Sequence, residues 1–219
     1  MLHAADSQDR LNDFVIKLAN VNGTGSASAN SLLMKSIFRM GIPVIGKNYF
    51  PSNIRGLPPW YETPIPREGY VARSGRVDIM VAMNAETYAK DVKDVSPGGY
   101  LLYDSTWPRP ALLKRDDITI LGAPFARMCN ETFQGVRSRI LLKNIMYAGL
   151  LGALLDIDVD IMKAMLGESY ASKKSLLDSN VKALEIGYNY AKEHFQCPLP
   201  LRVQRMDKTS NHIMIDGNT

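Results

Sequence analysis

The stretch Phe14-Val-Ile-Lys-Leu-Ala-Asn20-Val-Asn-Gly23-Thr-Gly25-Ser-Ala-Ser-Ala-Asn30 decides the fold of this chain. It runs from an apolar, strand-forming segment through two closely spaced glycines into small residues that suit the start of a helix. Glycine permits positive φ angles and a close approach of the backbone, and the free N–H groups of a first helical turn attract anions. The stretch therefore predicts a strand, a glycine loop and a helix, with the loop facing a ligand or a neighbouring surface.

The glycine loop does not follow the two best-known phosphate-binding patterns. A Walker loop needs a lysine directly after its last glycine, and here no lysine follows Gly25 before Lys35. A dinucleotide fingerprint needs a third glycine where this chain has Ser28, and an acidic residue after the second strand, where Lys47 stands. The sequence excludes the first pattern and gives little support to NAD binding.

Composition narrows the classes of partner. The 219 residues, 46% of them hydrophobic and 22% charged, are enough for one substantial core. The net charge of +4 is spread along the chain and no basic run is interleaved with aromatic residues, which argues against nucleic-acid binding. The most apolar segment, 140–155, is shorter than the ~20 residues of a membrane span and contains Lys143 and Asn144. No membrane partner is expected.

Metal-binding residues are scarce. Cys129 and Cys197 are the only cysteines, and neither they nor the three histidines have the spacing of metal ligands. Two cysteines cannot hold an iron–sulfur cluster, which takes four such ligands. Unpaired cysteines are typical of the reducing cytoplasm, where we expect this protein.

The hydrophobic pattern predicts an α/β fold: a three-layer α/β/α, Rossmann-like, mostly parallel (mixed) sheet with a helical C-terminal layer. The predicted strands are 13–20, 43–45 (parallel to the first), 60–63, 69–72, 78–83, 100–104 and 118–121, with a turn at 64–66. The predicted helices are 27–40, 85–92 capped by Asn84, 126–129, a buried helix at 140–155 and an amphipathic helix at 177–195. The apolar stripe of the last helix comprises Leu177, Val181, Leu184, Tyr188, Ala191 and Phe195.

Four segments, in the same order, resemble one enzyme family. Asn22-Gly23-Thr24-Gly25, with Ala29 and Leu32-Leu33 after it, is similar to the Gly-Gly-Gln-Gly loop and helix of the γ-type domain of 2-oxoacid:ferredoxin oxidoreductases. Pro51-Ser-Asn-Ile-Arg55-Gly56-Leu resembles that family's Pro-Glu-Met/Ile-Arg-Gly-Gly loop. Asp78-Ile-Met-Val-Ala-Met-Asn84 resembles its central strand, and Lys143-Asn144 with Gly149 the helix after its last strand. The resemblance covers 13–195 and is closest to the 2-oxoglutarate type.

The end of the chain extends the resemblance. Ile215-Asp-Gly217-Asn218-Thr219 resembles the opening Gly-Asn motif of the catalytic α domain that follows a γ domain in fused α subunits. The expected organisation is thus a disordered tail at 1–12, a γ-type α/β domain at 13–200, and a linker at 201–219 leading to a catalytic α domain that is absent from this sequence.

The family decarboxylates a 2-oxoacid on thiamine diphosphate and Mg²⁺, passes electrons through iron–sulfur clusters to ferredoxin, and transfers the acyl group to coenzyme A. This chain has two cysteines and no Gly-Asp-Gly…Asn diphosphate motif. The resemblance therefore implies that the chain binds none of these cofactors alone and is inactive by itself. Its implied partners are the catalytic α domain and the β subunit of the same enzyme, with ferredoxin as the acceptor of the complex.

The resemblance also points to candidate site residues. It implies no catalytic residue and no metal ligand here, and it implies cofactor contacts at Gly23, Thr24, Gly25, Ser26, Arg55 and Gly56. Backbone N–H groups near Gly25 suit a phosphate of coenzyme A, and Arg55 suits a phosphate or carboxylate. Both loops also suit contacts with a partner domain: for the glycine loop such an interface is the favoured interpretation, and for Arg55 a salt bridge to a partner domain and an anion contact are equally supported. The alternative from another class is a stand-alone scaffold protein that binds a nucleotide or coenzyme A.

Overall fold

A computed structural model describes residues 9–19, 25–49, 59–66 and 75–214. The strands of the described residues are β1 (Arg10–Leu11), β2 (Phe14–Ala19), β3 (Lys47–Tyr49), β4 (Trp60–Ile65), β5 (Ile79–Ala82), β6 (Tyr100–Asp104), β7 (Thr119–Ala123) and β8 (Leu201–Arg202). The helices are α1 (Ser26–Arg39), α2 (Tyr88–Asp94), α3 (Phe125–Thr132), α4 (Val136–Leu154), α5 (Val159–Ser169) and α6 (Lys174–His194), with a 3₁₀ turn at Pro110–Leu112. None of these helices is long and apolar enough to cross a membrane.

The main sheet has six strands in the order β3-β4-β2-β5-β6-β7. The four strands β2, β5, β6 and β7 are parallel, whereas β4 is antiparallel to both of its neighbours. All four residues of β5 are buried, as expected for a strand that is covered on both faces. The predicted α/β fold with a mostly parallel sheet is confirmed.

The predicted second strand at 43–45 is wrong. The strand begins at Lys47, and β4 lies between it and β2. Ile42 and Val44 are buried because they belong to the same hydrophobic core as the apolar side chains of α1. Their apolar character therefore reflects a loop that packs on the core and not a strand. A short apolar run does not by itself distinguish these two cases.

Pro64 also differs from its predicted place in a turn, since it belongs to β4. Pro64 pairs with Val15 of β2. The N–H of Val15 donates to the carboxylate of Asp78, and its C=O accepts from the N–H of Asp78, both on the side of β2 that faces away from β4. Pro64 therefore occupies a position of the β2–β4 ladder where no N–H is needed. The predicted strand at 69–72 lies outside the described residues.

The helix after β5 starts later than predicted, at Tyr88. The side-chain Oδ1 of Asn84 accepts a hydrogen bond from the backbone N–H of Glu86, and the carbonyl of Asn84 accepts one from that of Thr87. Asn84 therefore organises a turn that precedes the helix, a common role for asparagine.

The C-terminal layer is built on close packing between α4 and α6. Of the predicted apolar stripe, only Leu184 and Ala191 are buried, and the face against α4 also carries Ala183 and Gly187. Small residues are preferred there because the two backbones approach closely. The predicted buried helix is confirmed from Leu142 onward, whereas its first two residues, Ile140 and Leu141, are exposed.

The two predicted flanking segments meet in a second sheet. β1 lies in the stretch predicted as a disordered tail, β8 lies in the predicted linker, and the two pair in parallel. The side chain of Asn12 bonds Gln204 through both its amide N–H and its amide oxygen. Further along, Met206 N–H donates to the carbonyl of Met40. The two segments are therefore joined to each other by hydrogen bonds, and the second is joined to the main fold at Met40.

Candidate functional site

The topological switch point of the sheet lies between β2 and β5. From β2 the chain passes through α1 to the β3–β4 side, and from β5 it passes through α2 to the β6–β7 side. The two helices pack on opposite faces of the sheet, since their buried side chains belong to different core clusters. Ligands of open α/β sheets bind at the carboxyl ends of the strands at such a point. Ala19 and Gly25, which flank the glycine loop, stand there.

Gly25 and Ser26 are the predicted site residues that the structure describes. Gly25 has φ +77°, which accounts for a glycine at this position. A Cβ on it would lie 2.3 Å from Cδ2 of Leu141, an exposed side chain that can rotate away. Ser26 begins α1 and is buried. The first turn of α1 contains no acidic residue, so the helix itself supplies no counter-charge to the positive end of its dipole.

Gly23, Thr24, Arg55 and Gly56 lie outside the described residues, but the strand ends beside them are in place. Ala19, at the end of β2, pairs with Trp60, and Trp60 pairs with Tyr49. The rings of Tyr49 and Trp60 stack with centroids 5.2 Å apart. The glycine loop and the loop that carries Arg55 therefore start from neighbouring strand ends at the same edge of the sheet.

Two lysines, Lys17 and Lys90, lie over the ring of Trp60. This group was not identified from the sequence. Lys17 Nζ lies 4.9 Å from a ring centroid of Trp60, and Lys90 Nζ lies 5.0 Å from it, distances at which an ammonium is attracted to an aromatic face. Lys17 is buried and bonds Asp94 Oδ2 at 2.7 Å. The sequence feature that could have indicated this group is Lys17, a charged residue within the otherwise apolar strand β2. Because Lys17 is neutralised by Asp94, the positive charge that this group offers to an anion at the switch point is that of Lys90.

Asp91 lies next to this group, and its burial predicts a pH effect. Burial raises the pKa of Asp91 to about 6, against the opposing effects of the Thr87 hydroxyl and Lys17. Because the pKa is higher in the folded state, the stability that the neutral acid provides is lost as the pH rises from about 4 through 6. We expect Asp91→Asn to be more stable than the wild type at pH 7.5, by roughly 1–3 kcal/mol. Urea unfolding at pH 7.5 and pH 5 should show this gap shrinking by about 1 kcal/mol or more at the lower pH; an unchanged gap would contradict the prediction.

A second polar group lies at the carboxyl end of β6. Asp104 is buried, and its Oδ1 accepts hydrogen bonds from the backbone N–H and the hydroxyl of Thr106. Its Oδ2 faces Lys143 Nζ at 3.6 Å. Lys143 also lines a 270 Å³ cleft together with Trp107, Ala126, Cys129, Asn130, Val136, Arg139 and Ile140. Lys143 therefore connects α4 to the sheet, and its charge is offset by that of Asp104.

The described residues offer no group of three or more His, Cys, Asp or Glu side chains that could hold a metal ion. Burial raises the pKa of the Cys129 thiol to about 12, which suits a side chain that packs in the core rather than one that reacts. Cys197 directs its Sγ to the carbonyl of Ala191 at 3.4 Å. In this part of the chain both cysteines contribute to packing.

Sequence relatives carry the same kind of domain within longer chains. Over 85% of its length the chain is 22% identical to the α subunit of 2-oxoacid:ferredoxin oxidoreductase 2 of Aeropyrum pernix, covering 35% of that protein. Over 86% of its length it is 24% identical to 2-oxoglutarate oxidoreductase subunit KorA of Mycobacterium tuberculosis, covering 32% of it. The chain thus spans about a third of these relatives.

Solved structures share the fold at low sequence identity. The 2-oxoglutarate:ferredoxin oxidoreductase of Magnetococcus marinus matches 90% of the chain with a TM-score of 0.76 and 22% identity, over 34% of its own length. The gamma subunit of a keto/oxoacid ferredoxin oxidoreductase from Geobacter sulfurreducens matches 82% of the chain with a TM-score of 0.64 and 17% identity, over 99% of its own length. The family model described as pyruvate ferredoxin/flavodoxin oxidoreductase matches residues 15–190. That match confirms the resemblance to the family, and the chain belongs to this oxidoreductase family as a domain with the gamma-subunit fold.

Proposed function

We propose that this chain is the γ-type domain of a 2-oxoacid:ferredoxin oxidoreductase and acts only within the assembled enzyme. One observation carries the proposal: the chain matches 99% of a separate gamma subunit but only 34% of the longer Magnetococcus chain. It therefore corresponds to one module of a larger enzyme. The proposed partners are the catalytic α domain and the β subunit, which would hold thiamine diphosphate, Mg²⁺ and the iron–sulfur clusters, with ferredoxin as the acceptor.

For the substrate we propose 2-oxoglutarate. The Magnetococcus structure contains 2-oxoglutarate, coenzyme A and succinyl-CoA, and the Mycobacterium relative is named a 2-oxoglutarate oxidoreductase. A ketoisovalerate oxidoreductase subunit of Methanothermobacter thermautotrophicus matches a shorter part of the chain, 54% of its length. The assembled enzyme would convert the 2-oxoacid and coenzyme A into acyl-CoA and CO₂, and reduce ferredoxin with the two electrons released. We place this reaction in the cytoplasm.

The proposed role of the domain is to form one wall of the assembled active site. The N-terminus of α1 after Gly25, whose first turn has no acidic residue, and the ammonium of Lys90 over Trp60 favour a phosphate or a carboxylate at the switch point. Arg55 belongs to the loop whose two ends stack at Tyr49 and Trp60, and arginine binds such anions in a bidentate way. Coenzyme A is the ligand that we propose for Gly25, Ser26 and Arg55, together with Gly23, Thr24 and Gly56.

Steady-state kinetics of the assembled enzyme test this role. Arg55→Ala is expected to raise the KM for coenzyme A about tenfold or more, since a charge-assisted hydrogen bond contributes about 1.5–3 kcal/mol. The matched control is Arg205→Ala, because Arg205 follows β8, pairs with Asp158 before α5 and is 59% exposed. An unchanged KM and unchanged assembly in Arg55→Ala would remove this residue from the site.

A separate measurement distinguishes a module from a stand-alone binding protein. Calorimetry on the isolated chain with coenzyme A, NADP and ATP is expected to show no binding at micromolar strength, because a ligand at the switch point would be held from one side only. Micromolar binding of any of these to the isolated chain would favour a scaffold protein instead.

A further inference from the structure

A cleft of 270 Å³ lies between α3 and α4, beside the carboxyl end of β6. Its wall on α4 is one face of that helix, since the four residues have the spacing i, i+3, i+4 and i+7: Val136, Arg139, Ile140 and Lys143. The opposite wall and the loop after β6 contribute Ala126, Cys129, Asn130 and Trp107. Ligands of open α/β sheets bind at the carboxyl ends of the strands, so the cleft lies where a binding site is expected.

One part of the cleft is apolar and open to solvent. Trp107 is 63% exposed, Val136 is 74% exposed and Ile140 is 41% exposed, whereas Cys129 is buried. Exposed apolar side chains that cluster around a concavity are typical of a binding groove, and an indole offers a flat face on which another ring can stack. This part of the cleft therefore suits an aromatic ring.

The other part of the cleft is cationic, and Arg139 is available to an anion. Its Nε–H donates to the carbonyl of Phe133 at 2.7 Å, which fixes the position of the guanidinium. Its two Nη groups form no hydrogen bond or ion pair with another residue of the described ranges. Because a guanidinium binds a carboxylate through parallel N–H donors, Arg139 retains donors for such a ligand.

The cleft suits a single negative charge. Lys143 Nζ lies 3.6 Å from Oδ2 of Asp104, so this ion pair offsets the charge of the lysine while its N–H groups remain available to an acceptor. No described residue that lines the cleft is Asp or Glu, and Glu131 of α3 does not line it. The remaining positive charge is that of Arg139. A phosphate ester carries about −1.5 to −2 at pH 7, so one carboxylate is the better match.

We propose that the cleft between α3 and α4 binds a small aromatic monocarboxylic acid. Its carboxylate accepts hydrogen bonds from Arg139 and Lys143, and its ring packs against Trp107 and Ile140. The volume of 270 Å³ is just below the range of about 300–1,000 Å³ for drug-sized ligands, so the body of the ligand is about one ring in size. The site goes beyond the proposed function and does not depend on it, because this chain supplies both the cations and the apolar wall.

Isothermal titration calorimetry on the full chain tests the site with phenylacetate as the probe. We expect saturable binding with a Kd of about 1 mM or lower, which is reasonable for a ligand of this size. Two matched probes separate the two parts of the ligand, since phenylacetamide lacks the charge and acetate lacks the ring. Each of them is expected to bind about tenfold more weakly or less.

Three variants connect this binding to the cleft. Arg139→Met is expected to raise the Kd for phenylacetate about tenfold or more. Trp107→Ala is expected to raise it about fivefold and, at an exposed position, to leave the Tm unchanged; it therefore tests the site even where the lost bond to Phe133 lowers the Tm of Arg139→Met. The matched control is Arg137→Met, an exposed arginine of α4 that does not line the cleft; its Kd should stay within about twofold.

Tryptophan fluorescence locates the bound probe, since Trp60 and Trp107 are the only tryptophans. Saturating phenylacetate should change the emission of the wild type but not that of Trp107→Ala. Three results would each overturn the site: no saturable heat up to about 20 mM phenylacetate, equal affinity for phenylacetamide, or a fluorescence change that persists in Trp107→Ala. Any of them would leave the proposed function intact, because that function rests on other residues.

Discussion

Replacing Asp78 with alanine is expected to lower the free energy of unfolding by about 2–4 kcal/mol, because three hydrogen bonds to a buried carboxylate are lost. Asp78 is 2% exposed. Its carboxylate accepts hydrogen bonds from Arg10 Nη1 at 2.9 Å, from Val15 N at 2.8 Å and from Arg76 Nε at 3.0 Å. The variant would remove the acceptor of the Val15 N–H and one acceptor of each guanidinium group, since Arg10 and Arg76 also donate to the carbonyl of Asp13. The lost hydrogen bonds would weaken the connection between β1, β2 and the residues that precede β5.

Urea unfolding followed by circular dichroism measures this effect. The control is Asp117→Ala, because Asp117 also pairs with an arginine, Arg115, but is 50% exposed; a pair of that kind contributes less than about 1 kcal/mol. Asp78→Asn should fall between the two, since the amide keeps one acceptor oxygen and loses the charge. Equal unfolding midpoints for Asp78→Ala and Asp117→Ala would show that the buried carboxylate does not tie these strands together.

Replacing Gly187 with alanine is expected to cost about 2–4 kcal/mol despite the better helix propensity of alanine, which is worth about 1 kcal/mol. A Cβ on Gly187 of α6 would lie 1.9 Å from the carbonyl oxygen of Met146 on α4, and a Cβ on Gly149 of α4 would lie 2.1 Å from that of Leu184 on α6. The contacts are reciprocal and involve backbone atoms. Neither helix can relieve the overlap by a side-chain rotation, so the helices must separate.

Gly167 provides the matched control for this prediction. It also lies in a helix, α5, but a Cβ there would meet nothing within 4 Å. Gly167→Ala should therefore raise the free energy of unfolding by roughly 0.4–1 kcal/mol, while Gly187→Ala and Gly149→Ala lower it. Thermal unfolding of the three variants side by side checks the sign directly; a Gly187→Ala variant as stable as Gly167→Ala would mean that α4 and α6 are further apart than described.

The candidate site was accessible from sequence in part. The spacing of Gly23 and Gly25 after an apolar strand indicated a loop at a functional edge, and Ala19 and Gly25 do stand at the switch point. The cations of Lys17 and Lys90 escaped attention because they are far apart in the sequence and meet only over the ring of Trp60. Lys143 was noticed as part of a motif, but its contact with Asp104 depends on how α4 crosses the sheet.

The chain by itself determined the elements whose patterns are local: the strand, loop and helix of residues 14–30, the buried strand ending at Ala82, and the two long C-terminal helices. Periodicity and glycine placement act over a few residues, so they can be read without the fold. The tertiary structure alone decided the strand order, the place of β4 between β3 and β2, the face that α6 presents to α4, and the exposure of the first turns of α4. These depend on which distant surfaces fit each other, and that fit is a property of shape and backbone hydrogen bonding that no local pattern contains.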